Sequence, residues 1–320
     1  MRDEIKKLFI NSENNFISGE EIARKLNISR TAIWKHIEQL KREGYIFEAV
    51  RKKGYRLINN PDDVFEERIK QGLATKWLGQ SITVHKELES TQLLAHELAK
   101  KDAKHGTVVI ADSQKSGKGR LGRKWYSDSG KGIWLSIILR PDFNYIQAPL
   151  ITLLTSTVII DSLKKLYNLE GKIKWPNDIY INNKKLSGIL TEVHGEQDRI
   201  HYMIIGIGLN THKTNYPADI KDKAVSLEEI IEKNPVRADI IRILLEQFEN
   251  YYQIFEQEGF DPFYNMYNNQ LTGFGKETLV INNNRQIKGI NLGVDASGFL
   301  KIKRDDGEII KVVSGDIDNG

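Results

Sequence analysis

Between two short apolar runs, Val108–Ala111 and Ile133–Leu139, lies a segment of about twenty residues whose centre, Gly117 to Arg123, reads GKGRLGR. The two runs have the length and β-branched content of buried strands. A connection that long inside a compact domain is functional or disordered rather than a simple turn. From Lys115 to Lys124 it carries Lys115, Lys118, Arg120, Arg123 and Lys124, with no acidic residue among them. Gly117, Gly119 and Gly122 let the backbone turn and approach a ligand closely. Backbone amides beside fixed cations are what a polyanionic ligand needs. The segment reads as a phosphate-gripping loop with a strand on either side.

Two familiar phosphate-binding folds do not fit it. The glycines have the G-x-G-x-x-G spacing, but a dinucleotide fold needs a helix directly after them, with its N-terminus under the pyrophosphate. Here Arg123-Lys124-Trp125-Tyr126-Ser127 and a further Asp-Ser-Gly-Lys-Gly follow, then a strand. A Walker A loop fails because Gly119 stands where Ser or Thr should follow Lys118, and Asp112 where the first glycine should be. A merely solvated basic loop would need neither the glycine pattern nor Trp125.

The chain has 320 residues, enough for two or three domains with a sizeable core. It contains no cysteine, which excludes disulfides, thiolate metal sites and cysteine nucleophiles. The longest apolar run, Ala148–Ile160, is short of a membrane span and is interrupted by Thr152, Thr155, Ser156 and Thr157. The opening MRDEIKK has no apolar signal segment, so the expectation is a cytoplasmic protein without a membrane role. Net charge is +4, and residues 1–60 hold thirteen Lys/Arg against eight Asp/Glu, so the excess sits at the amino end. A small basic segment ahead of a near-neutral body is expected to meet nucleic acid.

Residues 1–58 read as a winged helix-turn-helix. Ile5, Leu8 and Phe9 give Met1–Ile10 a helical period, and Ser18 is placed to cap a helix over Gly19–Leu26. Asn27-Ile28-Ser29 makes the turn and Ser29 caps the second helix, with Ile33, Ile37 and Leu40 as its inward stripe. Arg30, Thr31, Trp34, Lys35 and His36 then face outward, toward a major groove. Ile46–Val50 and Gly54–Ile58 form a hairpin whose tip, Arg51-Lys52-Lys53, suits phosphate contact. With Gly19 and Ser29 at the helix starts, these residues are the expected DNA-binding set. A winged helix used for protein contacts is the alternative, and the charge and exposed donors favour DNA.

Asn59 to Asp63 is a polar, proline-marked linker. Beyond it, Ile82–His85 reads as a strand, and Ser90-Thr91-Gln92 opens a helix through Ala95, Leu98 and Ala99, where Ser90 or Thr91 serves as an N-cap or a ligand contact. Pro149–Tyr167 reads as a long buried helix. Lys174-Trp175-Pro176-Asn177-Asp178 ends one strand and starts the next, and Asn182-Asn183 is a hairpin turn. Alternation after that turn puts Lys184 and Lys185 on opposite faces, so one of them points toward the glycine loop. Ile204–Leu209 is a buried strand whose Gly206-Ile207-Gly208 permits close approach before Asn210. Helices are expected over Ser226–Lys233 and Ala238–Gln257. From Leu271 the pattern changes to short runs, Thr278–Ile281, Gln286–Leu292, Leu300–Lys303 and Ile309–Val313, with turns at Asn282–Asn284 and Asp305–Gly307, as in a small β-barrel.

GKGRLGRKW, KWPND, KKLSGIL and GIGLN, in that order, resemble the biotin protein ligases. With the helix-turn-helix before them and the barrel after them, the whole chain is similar to the bifunctional biotin ligase/biotin-operon repressors. The resemblance implies an α+β chain of three domains: a winged helix over 1–60, a catalytic domain over 61–270 with a mixed sheet related to class II aminoacyl-tRNA synthetases, and a Src-homology-type barrel over 271–320. It implies ATP, Mg²⁺ and biotin as substrates and cofactors. It also implies the biotin carboxyl carrier protein of acetyl-CoA carboxylase as acceptor, operator DNA as a partner, and a homodimer when the adenylate is bound. By motif, Ser90, Thr91 and Gln92 resemble the residues that hold the biotin rings. Gln114, Gly117, Lys118, Gly119, Arg120 and Arg123 resemble the segment closing over biotin and the adenylate phosphate, and Trp125 the aromatic that packs on adenine. Lys185 matches the lysine bridging the biotin carboxyl and the α-phosphate, with Arg120 beside it in catalysis; Asp178 and Asn210 resemble further pocket residues. The family loop usually begins Gly-Arg-Gly-Arg, and Lys118 here keeps the charge without the planar fork. The rival readings are a repressor that senses biotin without catalysis, and a lipoate-type ligase.

Overall fold

In the computed structural model of the chain, every residue is described except 11, 13, 14, 43, 60–63, 197, 198, 283, 284, 319 and 320. The expected linker therefore lies, from residue 60 on, outside the described residues, as do two of the three turn residues at 282–284. The chain forms two compact units, Met1–Asp63 and Val64–Gly320.

In the first unit, α1 (Arg2–Ile10), α2 (Gly19–Leu26) and α3 (Arg30–Arg42) are followed by a hairpin of β1 (Ile46–Val50) and β2 (Gly54–Asn59). The Ser18 hydroxyl accepts the Glu21 amide at 3.1 Å and the Ser29 hydroxyl that of Ala32 at 3.2 Å, capping α2 and α3. Asn27 closes α2 in the left-handed region, at φ 52°. Ile5, Phe9, Ile22, Ile33, Ile37 and Leu40 form the core, and the Ile17 backbone bridges to Tyr55 on β2. This is the element order of a winged helix-turn-helix.

The second unit starts with α4 (Glu66–Lys70) and runs through β3 (Ile82–Leu88), α5 (Thr91–Lys100), β4 (Thr107–Gln114), β5 (Gly132–Leu139), α6 (Ala148–Tyr167), β6 (Lys172–Lys174), β7 (Asp178–Ile181), β8 (Lys184–Gly195) and β9 (Ile200–Asn210). These strands make a seven-stranded sheet of order β3-β4-β5-β9-β8-β7-β6, in which only β3 and β4 pair in parallel. Three more helices follow, α7 (Leu227–Ile231), α8 (Arg237–Glu258) and α9 (Asp261–Gln270). One face of the sheet is buried in the main core with α6 and α8. The segment Tyr145–Tyr167 has the length and apolarity of a membrane span but is 72% buried, because it is apolar on every side and enclosed by the core. The Glu249 carboxylate of α8 accepts the amides of Lys76, Trp77 and Leu78 at 2.6–2.9 Å and so fixes the approach to β3.

The opposite face is covered differently. Helix α5 packs Ala95 and Ala99 on Val109, Ile138, Tyr202 and Ile204, and it starts only at Thr91. The part of the face beyond that start is left to the glycine loop.

The chain ends in a five-stranded antiparallel sheet of β10 (Glu277–Asn282), β11 (Arg285–Val294), β12 (Leu300–Lys303), β13 (Ile309–Val312) and β14 (Asp316–Asp318), in the order β13-β12-β11-β10-β14. It is joined to the larger sheet by a bridge from Ile173 to Leu271 and by the Trp175 indole, which donates to the Gly298 carbonyl at 3.1 Å. Helices α4 and α9 and strand β14 are additional to the elements expected from sequence. Helix α7 is shorter than the expected Ser226–Lys233, because Glu232 turns left-handed at φ 52° and stops it.

Candidate active site and nucleic-acid interface

Where the sheet is uncovered by α5, it is also stripped of side chains. Gly188 on β8 pairs with Gly208 on β9, and Leu190 pairs with Gly206. A Cβ on Gly208 would sit 2.4 Å from the Trp125 indole, one on Gly188 2.8 Å from it, and one on Gly206 2.7 Å from the Gln92 Oε1. The three glycines are the floor of a cavity of about 520 Å³, and Trp125 and Gln92 lie on that floor. That is the size range of small-molecule sites.

At one end the cavity is polar and internally bonded. The Ser90 hydroxyl caps α5 by accepting the Gln92 amide at 3.2 Å. Gln114 Oε1 accepts the Thr91 amide at 2.8 Å and its hydroxyl at 3.2 Å, and Gln114 Nε2 donates to Ser127 Oγ at 2.9 Å. Ser136 Oγ lies within hydrogen-bonding distance of both Thr91 Oγ1, at 2.9 Å, and Gln92 Oε1, at 3.0 Å. Ser90, Thr91 and Gln92 are each under 5% exposed although they line the cavity, so the network presents fixed donors and acceptors.

The glycine loop forms the rim. The Gly117 carbonyl accepts the Trp125 amide at 2.8 Å, and the Gly119 amide donates to the Arg123 carbonyl at 2.7 Å. The loop thus closes on itself, with Leu121 left-handed at φ 56° and Gly122 at φ 73° at its turn. No helix follows the glycines beyond a single turn, Arg120–Gly122. Lys118, Gly119, Arg120, Arg123 and Trp125 line the cavity, whereas Gly117 lies behind it and shapes the turn. Arg120 donates to Asn177 Oδ1 at 3.0 Å. Arg123 is bound to Asp316 of β14 at 2.6 Å, which raises its pKa further, and Arg120 lies 3.8 Å from the same carboxylate.

Lys185 turns inward from β8 and Lys184 outward. Its ammonium lies 2.7 Å from Asp178 Oδ2 and 5.1 Å from the centroid of the Trp125 ring. The second carboxylate oxygen, Asp178 Oδ1, is buried with no hydrogen-bond partner. Burial beside Asp178 pushes the Tyr180 phenol up to about 12, so it stays protonated in the wall. Asn210 is held by its own amide, which donates to the Val225 carbonyl at 3.1 Å.

Several wall residues escape sequence reasoning: Lys174, Tyr216, Lys223 and Asp316. Lys174 belongs to the KWPND motif, and its charge was the signal available. Seven cations against Asp178, Asp219 and Asp316 line the cavity, which suits a phosphorylated ligand. Among the described residues no cluster of three or more metal-ligating side chains exists. The lone unpartnered oxygen of Asp178 fits a divalent cation shared with ligand phosphates, since Mg²⁺ is often held by one or two carboxylates and the phosphates themselves.

On the first unit Ser29, Arg30, Thr31, Trp34 and Lys35 are exposed along α3, with Trp34 at 53%, and His36 is half-buried. Arg30 pairs with Glu20 at 3.2 Å across exposed surface. Gly19 opens α2 with space around its Cα, and Arg51, Lys52 and Lys53 are exposed at the hairpin tip. One helix face and the wing tip therefore carry the expected donors.

Residues 2–56 match the HTH domain family, residues 84–210 the biotin/lipoate A/B protein ligase family, and residues 273–320 the biotin protein ligase C terminal domain. The chain is 42% identical over 322 residues to the bifunctional ligase/repressor BirA of Bacillus subtilis, covering 100% of this chain and 99% of that one. With the protein of the same name from Escherichia coli it shares 31% over 306 residues, 94% of this chain and 92% of that one. A solved biotin protein ligase from Aquifex aeolicus in complex with biotin and ATP superposes with a TM-score of 0.65 at 29% identity, covering 75% of this chain and 98% of that one.

Proposed function

Because the chain belongs to the family of bifunctional biotin ligase/repressors, we propose that it adenylates biotin with ATP, transfers the biotinyl group to a lysine, and represses transcription when the adenylate is bound. The observation that carries this reading is the cavity itself. It joins a buried polar cluster at Ser90–Gln92 and Gln114 to a cationic rim, with Lys185 beside Asp178 and Trp125.

In the first step the biotin carboxylate forms a bond to the α-phosphorus of ATP, and the bond to the bridging oxygen breaks, releasing pyrophosphate. Ser90, Thr91, Gln92 and Gln114 hold the biotin rings through their fixed hydrogen-bonding groups. Lys118, Gly119, Arg120 and Arg123 grip the phosphates, with the Gly117 turn shaping the loop. Trp125 supports the adenine and Asn210 the wall near it. Lys185 and Arg120 stabilise the charge that develops between carboxylate and α-phosphate. Asp178 would hold a magnesium ion, which when bound supplies charge neutralisation for the phosphates. In the second step an acceptor lysine amine attacks the activated acyl carbon, loses its proton and expels AMP. Lys185 again faces the leaving phosphate. No protein nucleophile enters either step, so positioning and charge carry the rate.

The acceptor is the biotin carboxyl carrier protein of acetyl-CoA carboxylase. The catalytic domain spans 61–270 and the small β-domain 271–320. The adenylate-bound chain forms a homodimer that places two winged helices, residues 1–60, on an inverted-repeat operator through Gly19, Ser29, Arg30, Thr31, Trp34, Lys35, His36 and the wing. It acts in the cytoplasm. Biotin-dependent exchange of labelled pyrophosphate into ATP tests the first step, with lipoate as control. Exchange with biotin alone is expected; folded protein that exchanges nothing overturns the ligase and leaves a ligand-sensing repressor.

A further inference from the structure

Arg237 is the first residue of α8 and is 4% exposed. A cation there faces the positive end of the helix dipole, an unfavourable place unless an anion holds it. Asp112 is that anion. Arg237 Nη1 donates to Asp112 Oδ1 at 2.7 Å and to the Gly132 carbonyl at 3.2 Å. The same carboxylate accepts the Gly130 amide at 3.2 Å and the Ser129 hydroxyl. The turn at 128–132 is therefore fixed on an ion pair whose arginine is buried and whose carboxylate is half-buried.

That turn carries a second segment. The Lys131 carbonyl accepts the amides of both Thr211 and His212 at 3.0 Å, and Asp128 accepts the Thr214 hydroxyl at 3.1 Å. Residues 211–225 leave the sheet here and return at Lys185, whose amide donates to the Lys223 carbonyl at 2.7 Å and whose carbonyl accepts the Val225 amide at 3.1 Å. Between these anchors the segment contributes Tyr216, Asp219, Ile220, Lys223 and Ala224 to the cavity wall.

We propose that the Arg237–Asp112 pair positions the nucleotide half of the site. It sets the 128–132 turn and, through Lys131 and Asp128, the 211–225 wall. The biotin half depends instead on the hydrogen bonds of Gln114 and Ser136 to Thr91 and of Ser90 to Gln92. An ion pair of this kind is weak evidence for stability; here its carboxylate also holds the amide and hydroxyl of the turn. Neither residue touches the cavity, so both are positioning residues. The inference rests on the biotin and ATP reading of that cavity.

The test is steady-state pyrophosphate exchange with full-length Arg237→Lys and Ser129→Ala, the second an exposed change that leaves folding intact. In Arg237→Lys the KM for ATP is expected to rise about tenfold, as for loss of one hydrogen bond between charged groups. The KM for biotin should stay within about twofold, because uniform loss of structure would move both constants together. Ser129→Ala should shift the ATP constant in the same sense by about threefold. Equal rises for both substrates, or no change in folded variants, overturn the positioning role. Wild-type protein without biotin-dependent exchange overturns the site assignment itself, a separate outcome.

Discussion

Lys185 and Asp178 form an ion pair of 2.7 Å across neighbouring strands, and one oxygen of that carboxylate is left without a partner. The lysine is thereby held in place before any phosphate arrives. Replacing Lys185 by Ala is expected to slow adenylate formation by roughly 10²–10³, the usual effect of losing one electrostatic donor. Rapid-quench measurement of adenylate formation checks this. A loss confined to biotin affinity would contradict it.

Lys118 offers a point charge where an arginine would offer a fork. Lys118→Arg should hold the adenylate longer, by about fivefold, because a bidentate grip adds on the order of 1 kcal/mol. Chase of labelled adenylate with unlabelled ligand gives the lifetime directly. An unchanged or shorter lifetime counts against the phosphate contact.

The glycine floor admits no methyl group beneath the indole. In Gly208→Ala the new Cβ would start 2.4 Å from Trp125, so the ring must lift. Since Trp125 is only half-buried, the fold survives, while kcat/KM for ATP falls on the order of 10²-fold, as expected for a misplaced binding group. Retained tryptophan emission position with reduced ATP efficiency would not fit; the indole must report its move.

His105 is half-buried against Trp77 and Tyr252, and its Nδ1 accepts the Arg140 amide at 3.0 Å. Burial holds its pKa below the ordinary value of 6.5. The unfolded chain therefore takes up a proton near pH 6.5 that the folded chain refuses. Stability from this site is complete above that pH and is lost as pH falls toward the depressed folded value. Urea unfolding of wild type should weaken between pH 7.5 and 5.5, values chosen about one unit either side of the imidazole titration. His105→Gln should be flatter over the same range, and an equally steep His105→Gln would refute the assignment.

The wing and the helix face should separate by salt and sequence. Lys52→Ala is expected to weaken all DNA alike and reduce the salt slope by about 1. Trp34→Ala, at an exposed position on α3, should alter base preference with the slope unchanged. Binding isotherms at several salt concentrations on operator and unrelated duplexes distinguish them.

The winged helix was legible in sequence because its signals are local: Ser18 and Ser29 as caps, Asn27 at the turn, and a 3.6-residue stripe through Ile33, Ile37 and Leu40. The glycine loop and the inward turn of one lysine after Asn182-Asn183 were legible for the same reason. The choice between Lys184 and Lys185 came from the motif match and not from alternation, since alternation alone cannot see the register shift between Ile179 and Tyr180 on β7. Gly188 meets Gly208 only through the β8–β9 register, and Asp316 reaches Arg123 across nearly two hundred residues of chain. Helix α9 buries Phe263 and Tyr267 at helical spacing, but the polar Asn268 beside them, whose Oδ1 accepts the Val294 amide at 3.0 Å, dilutes that signal in the sequence.

Where α5 begins at Thr91, one helical layer over the sheet simply stops, and the three glycines let Trp125 and Gln92 lie close on the strands beside an open cavity. A bound molecule there takes over the part of the missing helix and completes the interior. Association at this floor then has the thermodynamics of a final folding step: a negative heat-capacity change as apolar surface leaves water, and a melting temperature that climbs with ligand concentration.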